Sequence, residues 1–261
     1  MKTIGFIGGG NMGAAIISRA CKQFKILVCE KDKKRAAFLK RKFKVVNKDL
    51  ASMVNASDVI VLAVKPQDFD GVLDQIKGAI SSRQVVISIA AGITSAFIEK
   101  KLGGKVRVIR TMPNMPAQVG EGITAVAKGK YAKNTDVALA RKIFNCVGTT
   151  VIVQEKMIDA VTAVSGSGPA YVFYFVECLL NAAQSLGFSK DVSKDLVMAT
   201  LLGSAHLLDQ QKEDVASLRA KVTSKGGTTQ AAMDVLMKNK VDKIFSQALK
   251  AAQKRAKQLA E

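Results

Sequence analysis

The sequence predicts an α/β protein: an N-terminal Rossmann-type parallel sheet with helices on both faces, followed by an all-α C-terminal domain. A Gly-x-Gly-x-x-Gly run, Gly8 to Gly13, stands between a strand-like and a helix-like segment. Further apolar runs alternate with helical segments up to about Gln154, as in a doubly wound sheet. From about Lys156 apolar residues recur at helical spacing, with no further strand-like run. We therefore place a domain boundary near Gln154.

Composition limits the classes of protein to consider. The 261 residues, 48% of them hydrophobic, are enough for a large buried core. The four cysteines show no Cys-x-x-Cys spacing and the chain has one histidine, so we expect no metal site. Reduced thiols and the absence of a signal peptide favour the cytoplasm. The longest apolar run, Tyr171 to Leu180, is too short to span a bilayer and contains Glu177, so we expect no membrane insertion.

The formal charge of +19 raises the question of nucleic-acid binding. The basic residues are spread over the chain, with few aromatic residues among them and no recognition motif. We expect no nucleic-acid partner. A positive field favours anionic small molecules instead, which suits a phosphate-bearing cofactor and a carboxylate substrate.

The glycine run follows a strand-like segment, Thr3 to Ile7, and precedes a helix. Gly8 permits a tight turn, Gly10 lets the backbone approach a pyrophosphate, and Gly13 allows the helix to pack closely on the sheet. Free N–H groups at the helix start face the anion. The alternative is a glycine-rich turn needed only for packing. We expect this turn to bind the phosphates of a dinucleotide, through Gly8, Gly10, Asn11, Met12 and Gly13.

The next strand, Lys25 to Glu30, ends in a carboxylate about 20 residues after the first glycine, where an acidic side chain accepts hydrogen bonds from the adenosine ribose. Glu30 favours NAD because it repels a 2′-phosphate. The basic residues from Lys31 to Arg35 would hold one, although they also suit the solvated first turn of a helix. The choice between NADH and NADPH stays open.

Two continuous apolar runs, Val59 to Val64 and Val85 to Ile89, suit parallel strands covered on both faces. In an open sheet the loops at the carboxyl ends of strands line the ligand crevice. We therefore expect the residues that follow these strands to edge the cofactor: Ala63, Val64, Lys65 and Pro66 after the first, and Ala90, Ala91 and Gly92 after the second.

A further strand, Val106 to Arg110, leads into the loop Thr111 to Pro116, which holds two of the four prolines. A stiff loop suits a wall beside a reacting ring, and a plain structural turn is the alternative. The first domain then ends with a strand, a helix and a last strand: Gly122 to Ala127, a helix capped by Asn134 that ends near Gly148, and Thr149 to Val153.

The helical half contains two small-residue stretches. Ser165 to Pro169 precedes a helix starting near Ala170, whose broad apolar face predicts contact with another subunit. His206 has no carboxylate or cysteine at a spacing that would make it a base or a ligand, so we expect a packed or surface histidine. The second stretch is Val222 to Thr229.

In this second stretch, Gly226 and Gly227 permit backbone angles that aim successive N–H groups into one concavity. Ser224, Thr228 and Thr229 add hydroxyl groups. Such a nest binds a carboxylate. A helix N-cap made by one of the threonines is the alternative, and the two interpretations are compatible because both use the same end of a helix.

Three stretches together, Phe6 to Gly13, Ser165 to Ala170 and Val222 to Thr229, resemble pyrroline-5-carboxylate reductase over essentially the whole chain. The resemblance implies a dinucleotide-binding domain over 1–154 and a helical dimerisation and substrate domain over 155–261, often built into larger rings. It implies NAD(P)H-dependent reduction of a cyclic imine to L-proline. It implies cofactor contacts from the glycine run, Asn47, Ala63 to Pro66 and Ala90 to Gly92, and it places a matching loop at Met112-Pro113-Asn114, whose Asn114 we add to the cofactor set.

By the same resemblance, Ser224, Gly226, Gly227 and Thr228 hold the substrate carboxylate, and Thr229 is the catalytic residue, bonded to the ring nitrogen. Lys225 replaces the usual proline of this loop, and Glu213-Asp214-Val215 replaces a proline-bearing turn. One rival is a β-hydroxyacid dehydrogenase, which has a catalytic lysine on a helix after a glycine-rich turn. Ala170 to Leu180 contains no lysine. A non-catalytic dinucleotide-binding protein is the other rival.

Overall fold

A computed structural model describes residues 1–211 and 213–259 of the chain. The chain divides into two compact units: Met1–Pro169 together with the C-terminal stretch from Ala251, and Ala170–Lys250. The first unit is α/β and the second is helical, which confirms the predicted fold class.

The strands of the first unit, in chain order, are β1 (Thr3–Ile7), β2 (Lys25–Cys29), β3 (Val46–Asn47), β4 (Val59–Leu62), β5 (Val85–Ser88), β6 (Arg107–Met112), β7 (Gly122–Lys128) and β8 (Gly148–Ile152). Its helices are α1 (Asn11–Ala20), α2 (Lys33–Phe43), α3 (Leu50–Asn55), α4 (Phe69–Ile76), α5 (Ser95–Leu102), α6 (Asn134–Phe144) and α7 (Ile158–Val161). A π-helical turn, Thr162–Gly166, follows directly.

The strands form one sheet in the order β3-β2-β1-β4-β5-β6-β7-β8. All neighbouring strands pair in parallel except β6 and β7. Parallel pairing needs a crossover of a dozen or more residues, and the connection between β6 and β7 is too short for one. The predicted parallel sheet therefore holds for β1 to β6, and β7 and β8 run in the opposite direction.

Side-chain alternation along the strands builds a core on each face of the sheet. On β1, Ile4 and Phe6 are fully buried in the cluster that includes helices α1 and α6. On β4, Ile60 and Leu62 are fully buried in the opposite cluster, with α4 and α5. Burial on both faces explains why these strands are continuous apolar runs rather than alternating ones.

The second unit contains most of α8 (Gly168–Ser185), α9 (Lys190–Gln210), α10 (Val215–Lys221), α11 (Thr228–Lys238) and most of α12 (Val241–Gln258). Of the described residues in α9, only Ser193 and Val197 are buried. Large apolar side chains such as Phe173 and Tyr174 on α8 are exposed. A lone chain leaves this unit almost without a core, so its apolar faces need a partner.

The helical run Glu155–Ser185 is long and apolar enough to cross a membrane by length and composition, and little of it is buried. Mostly buried core helices of soluble proteins meet the same test of length and composition, so that test alone does not identify a membrane span. The sequence predicts contact with another subunit at this same apolar surface.

The structure corrects three local predictions. Asn134 is the first residue of α6 rather than its cap, and Asp136 accepts a hydrogen bond from the Lys133 N–H at 2.8 Å. Helix α6 ends at Phe144 and a short 3-10 turn fills the space up to Gly148. Helix α8 begins at Gly168 rather than near Ala170, because the π-helical turn before it continues the helical backbone.

Candidate active site

The cofactor candidates that follow β1, β2 and β4 meet around one cleft of about 480 Å³. Strand order reverses between β1 and β4, because the chain builds outward from β1 in one direction and from β4 in the other. Ligands of open α/β sheets bind at this switch point. The residues that line the cleft include Gly8, Gly10, Glu30, Lys31, Ala63, Val64 and Lys65.

The glycine turn has the shape that phosphate binding needs. Gly8 has φ +92°, and a Cβ there would stand 2.8 Å from the Ala63 carbonyl oxygen, so the position requires glycine. A Cβ on Gly13 would stand 2.9 Å from the Gly8 carbonyl oxygen. At Gly10, in contrast, the space is open. No side chain caps α1, so its first N–H groups remain available to an anion.

Glu30 lies at the cleft, and its carboxylate already holds the turn. Oε2 accepts from the Gly9 N–H at 2.7 Å and Oε1 accepts from the Asp32 N–H at 3.0 Å. The Glu30 N–H donates to Oδ1 of Asn47 at 3.0 Å. Burial, and then the charge of Glu30, raises the pKa of the neighbouring Cys29 thiol, so this thiol stays protonated at neutral pH.

The loop after β5 lies at the same edge of the sheet as the cleft, because β5 runs parallel to β4. Gly92 has φ +77°, and a Cβ there would stand 2.6 Å from the carbonyl oxygen of Leu259. Ala90 is buried, and its N–H donates to Oγ of Ser88 at 3.2 Å. The last described turn of the chain therefore packs against a predicted cofactor loop, a contact that sequence reasoning missed because the two segments are far apart in the chain.

Asn114 is buried just beyond β6, and its Oδ1 accepts from the Ile123 N–H at 2.9 Å. This bond fixes the side chain across the β6–β7 connection and supports the predicted stiffness of the loop. The remaining cofactor candidates lie on the turn and loops already described: Asn11 and Met12 open α1, Pro66 begins a 3-10 turn, and Ala91 lies between Ala90 and Gly92.

Arg110 lies on β6, shortly before this loop, and only 2% of the residue is exposed to solvent. Its Nη2 donates to Asp159 at 3.0 Å, and its Nη1 lies 3.7 Å from Glu155. Glu155 in turn accepts from the Ser95 N–H at 2.7 Å. Burial raises the pKa of the nearby Glu99 carboxyl, and Glu155 adds to the effect. Sequence reasoning missed this ion-pair cluster because its members come from three distant segments.

The π-helical turn places the Ser165 to Pro169 stretch beside β6. A Cβ on Gly166 would stand 2.6 Å from Cε of Met112, so a larger residue there would push the end of that side chain aside. The Ser167 N–H donates to the Thr162 carbonyl at 2.8 Å, which is the wide π-type bond. Such turns occur frequently at functional sites.

The predicted substrate turn lies in the helical unit. The Gly227 N–H donates to the Ser224 carbonyl at 3.0 Å, and Gly226 has φ +73°. This is the pattern of a type II β-turn, whose third residue needs a positive φ. Helix α11 starts at Thr228 with no side-chain cap, so the predicted threonine cap is absent and the first N–H groups remain available to an anion. Thr229 is half-buried in this first turn.

Lys225 occupies the second position of this turn, where type II turns favour proline. Its N–H makes no hydrogen bond within residues 1–211 and 213–259. We expect Lys225→Pro to raise the free energy of unfolding by about 0.4–1 kcal/mol, because the ring restricts the unfolded chain. Urea unfolding would measure it, with Lys225→Ala as the control for lost charge. A destabilised proline variant would contradict the turn assignment.

In the described part of the chain, no group of three or more His, Cys, Asp or Glu side chains is placed to hold a metal. A dinucleotide fits the residues present, since the open space at Gly10, the uncapped start of α1 and the cleft beside Glu30 together match its pyrophosphate and ribose.

Comparison with known proteins agrees with this geometry. Residues 155–259 match the family model for pyrroline-5-carboxylate reductase dimerisation, and residues 3–92 match that for coenzyme F420-dependent NADP oxidoreductase. The pyrroline-5-carboxylate reductase of Synechocystis sp. is 40% identical, over 98% of this chain and 97% of its own length. That of Mycobacterium tuberculosis is 38% identical, over 99% and 97%.

Solved structures show the same likeness. The pyrroline-5-carboxylate reductase of Coxiella burnetii superposes with a TM-score of 0.93 at 36% identity, over 100% of this chain and 99% of that one. The Plasmodium falciparum pyrroline carboxylate reductase, solved with NADP bound, gives 0.90 at 30% identity, over 100% and 98%. Because the similarity spans both units, the chain belongs to the pyrroline-5-carboxylate reductase family.

Proposed function

We propose that this chain reduces 1-pyrroline-5-carboxylate to L-proline, the last step of proline synthesis, with NADPH or NADH as the hydride donor. The observation that carries the proposal is the open, uncapped glycine turn at the switch point of a chain that is similar to these reductases over its full length. The bound nicotinamide supplies the hydride that the substrate carbon accepts.

The first unit holds the cofactor. The turn Gly8, Gly10, Asn11, Met12 and Gly13 presents N–H groups to the pyrophosphate. Ala63, Val64 and Lys65 line the cleft, and Pro66 and the loop Ala90 to Gly92 contact the cofactor from the ends of the neighbouring strands. Glu30 and Asn47 lie beside the adenosine ribose. Asn114, fixed by its bond to the Ile123 N–H, forms a wall at the nicotinamide end.

The second unit holds the substrate. Ser224, Gly226, Gly227 and Thr228 surround the substrate carboxylate at the uncapped start of α11, where the helix dipole favours negative charge. The hydroxyl of Thr229 bonds to the ring nitrogen. A protonated imine is already a good hydride acceptor, so orientation matters more than a strong acid. This explains why the reaction needs no catalytic histidine.

We further propose a homodimer formed through the helical region, with rings of dimers as the larger assembly, in the cytoplasm. The match to a dimerisation model over 155–259 supports subunit association, and the exposed apolar side chains of α8 supply the surface. We propose 1–154 and 155–261 as the functional domains.

The test of this mechanism is Thr229→Ala. Loss of the hydrogen bond to the substrate nitrogen is expected to lower kcat about tenfold or more, since bonds to charged groups contribute about 1.5–3 kcal/mol. NADPH and NADH oxidation with 1-pyrroline-5-carboxylate would measure it, and Thr229→Ser, which keeps the hydroxyl, should retain most turnover.

Two outcomes would contradict the proposal. Full turnover and unchanged KM in Thr229→Ala would remove the role of this hydroxyl. Wild-type protein that oxidises 2-hydroxy or 3-hydroxy acids in the reverse assay, and leaves the imine unreduced, would favour a hydroxyacid dehydrogenase. No turnover in either direction would favour a non-catalytic binding protein.

A further inference from the structure

Glu30, the acidic residue at the cofactor cleft, links two backbone segments of the protein through hydrogen bonds. Both carboxylate oxygens of Glu30 accept backbone N–H groups, one from Gly9 in the glycine turn and one from Asp32 before α2. A carboxylate that selects NADH does so by bonding the free ribose hydroxyls and repelling a 2′-phosphate. Here much of its hydrogen-bonding capacity and its charge are already directed at the protein backbone.

The guanidinium of Arg35 bonds to the carbonyl group of the same glycine, Gly9. Nε of Arg35 donates to the Gly9 carbonyl at 2.6 Å, while Glu30 binds the Gly9 N–H. The guanidinium also stacks 5.2 Å from the centre of the Phe38 ring. These two contacts fix the long side chain beside the glycine turn, so little further conformational entropy is lost when it binds an anion.

The outer atoms of this guanidinium remain available. Within the described ranges, the Nη atoms of Arg35 have no hydrogen bond or ion pair to another residue. Arg35 lines a second cleft of about 480 Å³ between α1 and α2, whose lining also includes Arg19, Lys22 and Lys42 and no acidic residue. Lys31 lines the first cleft, beside Glu30, and adds a positive charge there. A doubly charged phosphate bound by this guanidinium would therefore have several cations around it, and the one carboxylate near Gly9, that of Glu30, is already bonded to the backbone.

We propose that Arg35 determines cofactor specificity: its Nη atoms bind the 2′-phosphate of NADPH, Lys31 assists, and the enzyme favours NADPH over NADH. This inference rests on the proposed function, since it concerns the nucleotide of the same site. Bidentate guanidinium–phosphate pairs combine charge with fixed geometry, which a lysine alone lacks.

The test uses nucleotide fragments on the full-length protein, without substrate. Calorimetry would compare adenosine 2′,5′-bisphosphate with adenosine 5′-monophosphate. We expect the wild type to bind the bisphosphate about tenfold or more tightly, the usual strength of a charge-assisted pair. Arg35→Met should lose that advantage and keep its affinity for the monophosphate within about twofold.

Lys42→Met is the matched control. Lys42 lines the same cleft and lies 5.4 Å from the same Phe38 ring, and the described residues give it no bond to the glycine turn. It should change the bisphosphate affinity by about threefold or less, since a distant exposed charge is screened.

Equal loss of both fragments in Arg35→Met would assign this residue to the shape of the turn and overturn the proposal. So would wild-type protein that binds both fragments equally, or a Lys42→Met effect as large as that of Arg35→Met. Fragment binding needs no imine reduction, so a failure of the proposed reductase activity would appear in the turnover assay alone.

Discussion

Arg110→Met is expected to cost about 3–5 kcal/mol of unfolding free energy, as breaking a buried ion pair does. The variant leaves two carboxylates, Glu155 and Asp159, without the cation that balances them. The methionine fills much of the space, so the loss is mainly electrostatic. For a chain of this length the thermal midpoint should fall on the order of 10 °C.

Two controls make the result specific. Adding Glu155→Gln and Asp159→Asn to Arg110→Met should recover part of the loss, because the uncompensated charges are then gone. Lys221→Met removes an exposed ion pair to Glu213 and should cost less than about 1 kcal/mol. Wild-type stability in Arg110→Met would show that the cluster is not needed for the fold.

Phe173→Asp is expected to dissociate the subunits and unfold the helical unit. In the single chain Phe173 is 58% exposed, and a change at such a position in a true monomer would stay within about 0.5 kcal/mol. If the ring is buried against a second copy, the loss is about 1.5–3 kcal/mol for the ring alone, plus the cost of burying a charge.

Light scattering after gel filtration would measure the oligomeric state. Unfolding at several protein concentrations would show whether stability depends on association of the subunits. The wild-type midpoint should rise with concentration, because association stabilises the folded state. Val119→Asp, at an equally exposed apolar residue of the first unit, is the control and should leave the oligomer intact. A dimeric, fully stable Phe173→Asp protein would place the interface elsewhere.

The architecture was predictable because local pattern and global fold agree in this chain. Apolar runs such as Val59 to Leu62 are buried on both faces, as is typical of a parallel sheet covered by helices. The glycine turn was predictable for a related reason: Gly8 and Gly13 lie close to backbone atoms, and Gly10 leaves room for a ligand.

The supporting contacts were not predictable. Arg110 looks like a polar residue on an apolar strand, and only the fold brings Glu155 and Asp159 to it. The position of Glu30 after β2 predicts a contact with the ribose, and the structure adds its bonds to Gly9 and Asp32, which the sequence does not reveal. Sequence spacing predicts which residues reach a site and carries no information about the bonds they already make.

The reversed direction of the last two strands determines the path by which the chain leaves the sheet. Strand β8 ends at Ile152, level with Val126 on β7 and Thr111 on β6, close to the edge where the glycine turn opens. Helix α7 packs at this end of the sheet, with Ile158 buried against Ala127 and Val161 packed near Met112. Gly166 then lies against Met112, so a single antiparallel pairing lets the polypeptide leave the sheet beside the carboxyl ends of the parallel strands.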